Sequence, residues 1–141
     1  MTNPSLPDED HVSRYCKPST VDNGIPMSSA FMPRPSEEYL SVNWLEYFGE
    51  PTLDSAVDRV RAVFSEKGYR VTRNGRFAAL NVGAVKRAVP EDTGVALNIS
   101  HIPFDDDRSH AGISGYSSND LAVAVELVAL LTQQDIHPAV T

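Results

Sequence analysis

Alternating apolar and polar side chains mark two short segments as strands with one buried face. In HVSRYC, residues 11–16, the side chains that share one face are Val12, Arg14 and Cys16. In YLSVNW, residues 39–44, they are Leu40, Val42 and Trp44. Strand composition also predicts strands within VALNISHIPF and HAGISGY. Arg14 stands out, because a charge on such a face either points into the domain or reaches solvent from an edge.

Two segments have the pattern of helices, residues 52–67 and 118–134. Apolar side chains recur at intervals of three and four in the first, at Leu53, Val57, Val60 and Phe64. Thr52 is a suitable N-cap and Gly68 a suitable terminator for this helix. Ser117 and Asp120 have the spacing of a capping box before the second helix, which is apolar on nearly every side. We expect this second helix to be central and buried.

Turn residues separate these segments. Asn74-Gly75 predicts a hairpin within YRVTRNGRFAALNV, since Asn-Gly tolerates the primed turns of two-residue loops. Residues 17–38 contain four prolines and predict a long loop with a short strand near 29–32. A loop of this length is uncommon in a compact domain unless it is functional or packed.

Together the elements predict a single α+β domain, with one mixed or largely antiparallel sheet and two main helices packed against it. We expect residues 10–135 to form the domain, residues 1–9 a flexible arm and residues 136–141 a flexible tail. The 141 residues are enough for one hydrophobic core.

The N-terminus lacks the basic and apolar regions of a secretory signal, and the longest apolar run is too short to span a bilayer. A cytoplasmic protein without membrane contact is therefore expected. The single cysteine, Cys16, excludes an internal disulfide.

Charge is distributed unevenly along the acidic chain, whose net charge is −7. Residues 59–87 carry eight basic side chains against Glu66 alone, and both flanking segments are acidic. Either the basic segment folds against its acidic flanks, or it presents a patch to an anionic partner. Arg70, Arg73 and Arg76 are the candidates for such a patch. The acidic balance disfavours nucleic acid as a partner but leaves a local RNA or DNA contact open.

Candidate chemistry is concentrated in RSHAGISGY, residues 108–116, at His110. The histidine is either a site residue or a strand-edge imidazole bonded to a backbone carbonyl. Asp105, Asp106 and Asp107 could bind a metal with it, but the run lacks a defined ligand spacing, so neither metal nor cofactor is predicted. His11-Val-Ser resembles half of the paired His-x-Ser/Thr motif of phosphoesterases, and a second copy is missing.

Three islands, RYCKPSTVDNGIPMSSAF, LSVNW and HAGISGY, resemble a group of small, uncharacterised bacterial proteins. The shared pattern comprises Arg14, Pro18, Gly24, Ser28, Ser29, Ala30, Phe31, Leu40, Ser41, Val42, His110, Ala111 and Gly115. This chain differs by placing three residues, 25–27, between the glycine and the serines. The resemblance implies no activity.

The first functional hypothesis is a protein-interaction module with an accessory or regulatory role. It would dock through the long loop and neighbouring aromatic side chains, which anchor interfaces well. The interface candidates are Phe31, Tyr39, Tyr47 and Phe48.

The second hypothesis is an enzyme that binds a nucleotide or another phosphate compound, with transferase-like chemistry. An early arginine, hydroxyls and a late histidine resemble the ADP-ribosyltransferase-like folds that bind NAD, although the late glutamate of that reaction has no counterpart. Small polar and ionisable groups that converge in one cleft form a site for a small anion. The ligand-binding candidates are Arg14, Ser28, Ser29, Ser41 and His110.

Overall fold

The structure is a computed structural model that describes residues 3–141. Six strands form one antiparallel sheet in the order β6-β7-β4-β1-β5-β8, and two short strands, β2 and β3, form a separate hairpin. The strands are β1 His11–Cys16, β2 Val21–Asp22, β3 Ile25–Pro26, β4 Leu40–Trp44, β5 Arg76–Asn81, β6 Asn98–His101, β7 His110–Ser114 and β8 Ile136–Pro138. The helices are α1 Leu53–Glu66, α2 Val82–Thr93 and α3 Leu121–Ala129. The predicted single α+β domain is confirmed.

The helices cover both faces of the sheet. Alternate side chains of the strands, among them Val12, Val42 and Ile113, form the larger core with α2 and α3. The opposite side chains, such as Phe77 and Ala79, pack against α1 in a second cluster. The two-residue periodicity of the strands therefore divides the apolar side chains between two cores.

Helix α1 follows its predicted pattern closely. The Thr52 hydroxyl accepts a hydrogen bond from the Ser55 amide, and the Ser55 hydroxyl lies near the Thr52 amide, so both residues form a capping box. Val57 and Val60 of the predicted stripe are fully buried against the sheet. Gly68 has the left-handed conformation that ends the helix, with φ of 75°.

Helix α2 was not predicted from the sequence. The Asn81 side chain accepts from the Ala84 amide at its start, and Gly94 ends it in the left-handed conformation. Gly83 and Pro90 lie within the helix, and these residue types weaken a helical pattern in sequence. The sheet thus carries three helices instead of the two expected.

Helix α3 is shorter than expected, and the prediction that it is central and buried is wrong. Val123, Ala124 and Leu127 are buried, whereas Leu121 and Val125 on the other side are more than half exposed. The helix packs on α2 and on a short 3-10 helix, Ser28–Phe31, and leaves its outer side to solvent. The predicted strand near residues 29–32 is this 3-10 helix.

The predicted hairpin about Asn74-Gly75 is also wrong. Residues 69–75 contain no strand, and β5 pairs with β1 and β8 instead. Gly75 is packed so closely that a Cβ atom there would lie 2.8 Å from the Tyr15 hydroxyl. Asn23 and Gly24 form the two-residue turn between β2 and β3, both with positive φ, as a type I′ turn requires.

Both terminal segments pack on the sheet in the part of the chain that is described. Residues 1–2 of the predicted arm lie outside that part. Leu6 is buried, and its amide donates to the Ile99 carbonyl at 2.9 Å. Residues 136–138, predicted as tail, form edge strand β8, and Arg61 of α1 donates to the carbonyl of Pro138.

Candidate functional site

A cleft of about 620 Å³ lies where the two central strands separate. Strands β1 and β4 pair at Val12 with Trp44 and at Ser13 with Asn43. Beyond these positions β1 continues alongside β5, and β4 alongside β7. The cleft is bordered by both strands, by the 3-10 helix that holds Ser29, by the end of α1 and by the loop before β7.

Arg14 lies at this separation and connects its two sides. Its Nε donates to the Ala30 carbonyl at 2.8 Å, and its Nη1 donates to the Ser41 carbonyl at 2.9 Å. A guanidinium has five N–H donors, so these two bonds leave others for a ligand. Burial lowers the pKa of Arg14, but arginine remains protonated at neutral pH.

His110 and Ser41 face each other in the same cleft. The His110 Nδ1 lies 2.8 Å from the Ile102 carbonyl oxygen, which can only accept, so Nδ1 carries the proton. The other nitrogen, Nε2, lies 3.1 Å from the Ser41 hydroxyl oxygen. Burial lowers the pKa of His110, although its bond to Ile102 and the charge of Asp107 oppose this effect. The imidazole is therefore neutral at pH 7, and Nε2 accepts a hydrogen bond from Ser41.

Two aromatic rings hold the His110 imidazole in place. The Phe104 ring stacks on it with 4.0 Å between centroids, and the Tyr39 ring meets it edge to face at 5.7 Å. Gly112 makes room for this arrangement, because a Cβ there would lie 2.7 Å from the Tyr39 ring. With only 5% of its surface exposed, His110 has a fixed orientation beside Ser41.

A buried polar network lies next to His110, which pairs with Asn43 across β4 and β7. The Lys67 Nζ lies 3.2 Å from Asp107 Oδ2, and Asn43 Nδ2 donates to both Asp107 oxygens at 2.9 and 3.1 Å. Ser109 also donates to Asp107, at 3.1 Å. Burial alone would lower the pKa of Lys67, but the charge and hydrogen bond of Asp107, together with Tyr69, raise it. Lys67 is therefore a cation held at the cleft.

Positive charge is in excess around the cleft. Its lining includes two acidic side chains, Glu37 and Asp107, and five basic ones, Arg14, Lys17, Arg34, Lys67 and Arg70. Four aromatic rings, Tyr15, Phe64, Tyr69 and Phe104, line it as well. Since the chain as a whole has a net charge of −7, the cleft is a local reversal of its charge.

Most of the predicted ligand residues share this cleft. Arg14, Ser29, Ser41 and His110 line it, and Ser28, beside Ser29, is not among the residues that do. Arg14 and His110 both bond to Ser41, the first to its carbonyl and the second to its hydroxyl. Asn43, Lys67 and Asp107 were not predicted as one group. Asn43 in the predicted strand YLSVNW and Lys67 at the end of α1 were the signals available in the sequence.

The predicted arginine patch is divided by the fold. Arg70 lines the cleft, whereas Arg76 lies in a second groove with Gly24 and Ile25. Arg73 is exposed in the turn at residues 73–74 and lines neither the cleft nor the second groove. Other basic side chains pair with the acidic flanks, as in the contact of Lys86 with Asp8 at 3.0 Å. Part of the basic segment therefore pairs with acidic residues, and its contact with an anionic partner stays a prediction.

The four aromatic interface candidates also have different environments. Phe31 is 0% exposed and belongs to the core, so its assignment to a partner surface is wrong. Tyr39 packs against His110, and Phe48 packs partly against the α1 cluster. Tyr47 is 43% exposed and contacts the Phe48 ring.

The remaining chemistry is limited within residues 3–141. No group of three or more histidine, cysteine, aspartate or glutamate side chains in this range is arranged to hold a metal ion. Cys16 is buried, and burial raises the pKa of its thiol to about 12. No helix in the described range is long and apolar enough to cross a bilayer.

No family model, no curated protein and no solved structure matches the chain. The candidate function therefore depends on the geometry of the cleft.

Proposed function

We propose that the protein binds a small phosphate-bearing compound, such as a nucleotide, in the cleft between β1 and β4. The observation that supports this proposal best is the excess of positive charge at a concave site in an acidic protein. Arg14, Lys67 and Arg70 supply the cationic donors, and guanidinium groups match the geometry of phosphate oxygens.

The size and the aromatic lining of the cleft support the same ligand class. A volume of about 620 Å³ lies within the range of small-molecule sites. Tyr69 and Phe104 line the cleft together with the basic side chains, so a ligand that joins a phosphate to a flat ring would find both kinds of contact. The aromatic rings of the lining fit a nucleotide better than inorganic phosphate.

Arg70 is the appropriate residue for a binding test. It is exposed, so its replacement by alanine removes a charge with little effect on the core. Arg14 is less suitable, because its guanidinium also bonds to two backbone carbonyls. Arg73→Ala is the matched control, since Arg73 is also exposed, only three residues away and not among the residues lining the cleft.

The test is thermal unfolding at low salt with AMP, ADP, NAD, inorganic phosphate and a short RNA. A ligand at 100 times its Kd adds about 2.7 kcal/mol, which raises the Tm by several degrees. We expect a nucleotide to raise the Tm of the wild type and of Arg73→Ala, and Arg70→Ala to weaken its binding about tenfold, as for one charge-assisted bond. The proposal is refuted if no ligand of the panel raises the Tm, or if Arg70→Ala binds the nucleotide as tightly as the wild type does.

A protein-interaction module remains a second proposal, and the exposed ring of Tyr47 favours it. Tyr47 lies 6.1 Å from the Trp44 ring and 5.8 Å from the His101 ring, between centroids, and aromatic clusters of this kind anchor interfaces. Tyr47→Ala should then release a partner that copurifies with the wild type.

The third proposal is an RNA or DNA contact. The ligand panel tests it with the short RNA, whose binding should then weaken steeply with added salt.

A further inference from the structure

Ser41 and His110 have an arrangement that ligand binding alone does not require. The hydroxyl and the imidazole are within hydrogen-bond distance, and the imidazole is held by a third group, the Ile102 carbonyl. A nucleophile, a base and a group that orients the base are the common elements of serine-based covalent catalysis. Ser41 also lines the cleft, so its oxygen borders the space that a ligand would occupy.

We propose that Ser41 and His110 form a nucleophile and general-base pair that cleaves a carboxylic ester bearing a phosphate group. The substrate class rests on the proposed function, because Arg14 and Lys67 would bind the phosphate, whereas the reactive pair rests on its own geometry. The chain thus has an esterase or acyl-transfer site.

The reaction proceeds in two balanced steps. In the first, Ser41 Oγ attacks the ester carbonyl carbon while its proton passes to His110 Nε2. The tetrahedral intermediate then collapses, the bond to the alcohol oxygen breaks, and the leaving alcohol takes the proton from Nε2. In the second, the oxygen of a water molecule attacks the acyl carbon while Nε2 takes a proton from that water. The bond to Ser41 Oγ then breaks, Oγ takes the proton back from Nε2, and the carboxylic acid leaves.

The state of the imidazole suits this role. Nδ1 is the protonated nitrogen, so the unprotonated Nε2 faces Ser41, as a base must. The charged and titratable groups around His110 act in opposite directions: Asp107 raises its pKa, and Lys67 and His101 lower it. Since burial lowers the pKa further, the base form predominates at pH 7. The rate should be constant above pH 7 and fall in acid as the imidazole is protonated.

The test uses a neutral reagent, which needs no phosphate site. We expect a fluorophosphonate to label the wild type at Ser41, detected by intact mass and peptide mapping, and p-nitrophenyl acetate to be hydrolysed. Ser41→Ala should lose the labelling, whereas Ser65→Ala, a change at an exposed serine of α1 outside the cleft, should retain it.

His110→Asn isolates the role of the base. Its side-chain amide can still donate to the Ile102 carbonyl but has no counterpart of Nε2. We expect the labelling rate to fall by about 100-fold or more, the usual contribution of a general base, with the circular dichroism spectrum unchanged. If the wild type is not labelled at Ser41, or if His110→Asn reacts at the wild-type rate and pH profile, the proposal is wrong.

The two proposals fail independently. If a nucleotide binds but the fluorophosphonate does not react at Ser41, the cleft is a binding site and the catalytic pair is refuted. If Ser41 reacts but no anionic ligand shifts the Tm, the pair remains and both the proposed function and the phosphate-bearing substrate class are refuted.

Discussion

Replacement of Asp107 by alanine should destabilise the protein by about 3–5 kcal/mol, the usual cost of breaking a buried ion pair by removing one partner. Asp107 is 3% exposed and accepts from Lys67, Asn43 and Ser109. Its loss would leave the ammonium of Lys67, a side chain only 9% exposed, without its carboxylate, and Asn43 without its main acceptor. For a chain of 141 residues this corresponds to a fall in Tm of about 10 °C or more.

Urea denaturation followed by the fluorescence of Trp44, the only tryptophan, measures this cost. The matched variant is Lys67→Met, which removes the charge and keeps most of the aliphatic stem. Because neighbouring residues couple, the double variant should lose about 1–3 kcal/mol less than the sum of the two single changes. A cost below about 1 kcal/mol for Asp107→Ala, or strict additivity, would refute the interpretation of this network as a buried, interdependent group.

Two further predictions concern the packing of each sheet face. Gly112→Ala should cost about 1–3 kcal/mol in urea denaturation, because its Cβ would overlap the Tyr39 ring, and should cost less in a Tyr39→Ala background; an equal cost in both would contradict this explanation. Cys16, with its pKa raised from 9.0 to about 12, should have about 1000-fold less thiolate at pH 8 than an ordinary cysteine and react far more slowly with a disulfide reagent than it does in denaturant. Equal rates in the folded and denatured protein would show that this thiol is accessible.

The elements predicted correctly are those whose signals are local. Strands β1 and β4 alternate over five or six residues, and α1 has its stripe, its cap and its terminator within 17 residues. Helix α2 escaped prediction because Gly83 serves a contact from elsewhere. Its amide donates to the Asp8 carbonyl, and a Cβ would lie 2.9 Å from that oxygen. A glycine selected by a tertiary contact weakens the local helical pattern.

Two Asn-Gly pairs show the same limit of local reasoning. The pair at 23–24 forms the hairpin turn, while the pair at 74–75 follows α1 in a loop. Both pairs are Asn-Gly, so their intrinsic preference for a hairpin turn is the same. What differs is the strand available for pairing, because β5 is engaged on both sides by β1 and β8. The competition among strands for one partner cannot be read from a window of ten residues.

Only part of the candidate site could be predicted, because the rest depends on contacts between residues far apart in the sequence. Arg14, Ser41 and His110 attract notice as polar or ionisable residues in strand segments. The network of Asn43 with Asp107 joins residues 64 positions apart, and their sequence gives no sign of the contact. A run of acidic residues is typical of a solvated turn; Asp105 and Asp106 are exposed, but Asp107 is buried.

Arg14 connects the stability of the sheet to the proposed function. Where β1 and β4 part, the carbonyl of Ser41 has no β1 amide opposite it in the register, and a buried carbonyl without a donor is costly. The guanidinium supplies that donor and also holds the Ala30 carbonyl of the 3-10 helix that borders the cleft. A lysine has a single nitrogen and would not match both carbonyls in the same fixed geometry. The split in the sheet therefore favours an arginine at this position, and the same split holds a cation on the Ser41 carbonyl, at the cleft where the proposed ligand would bind.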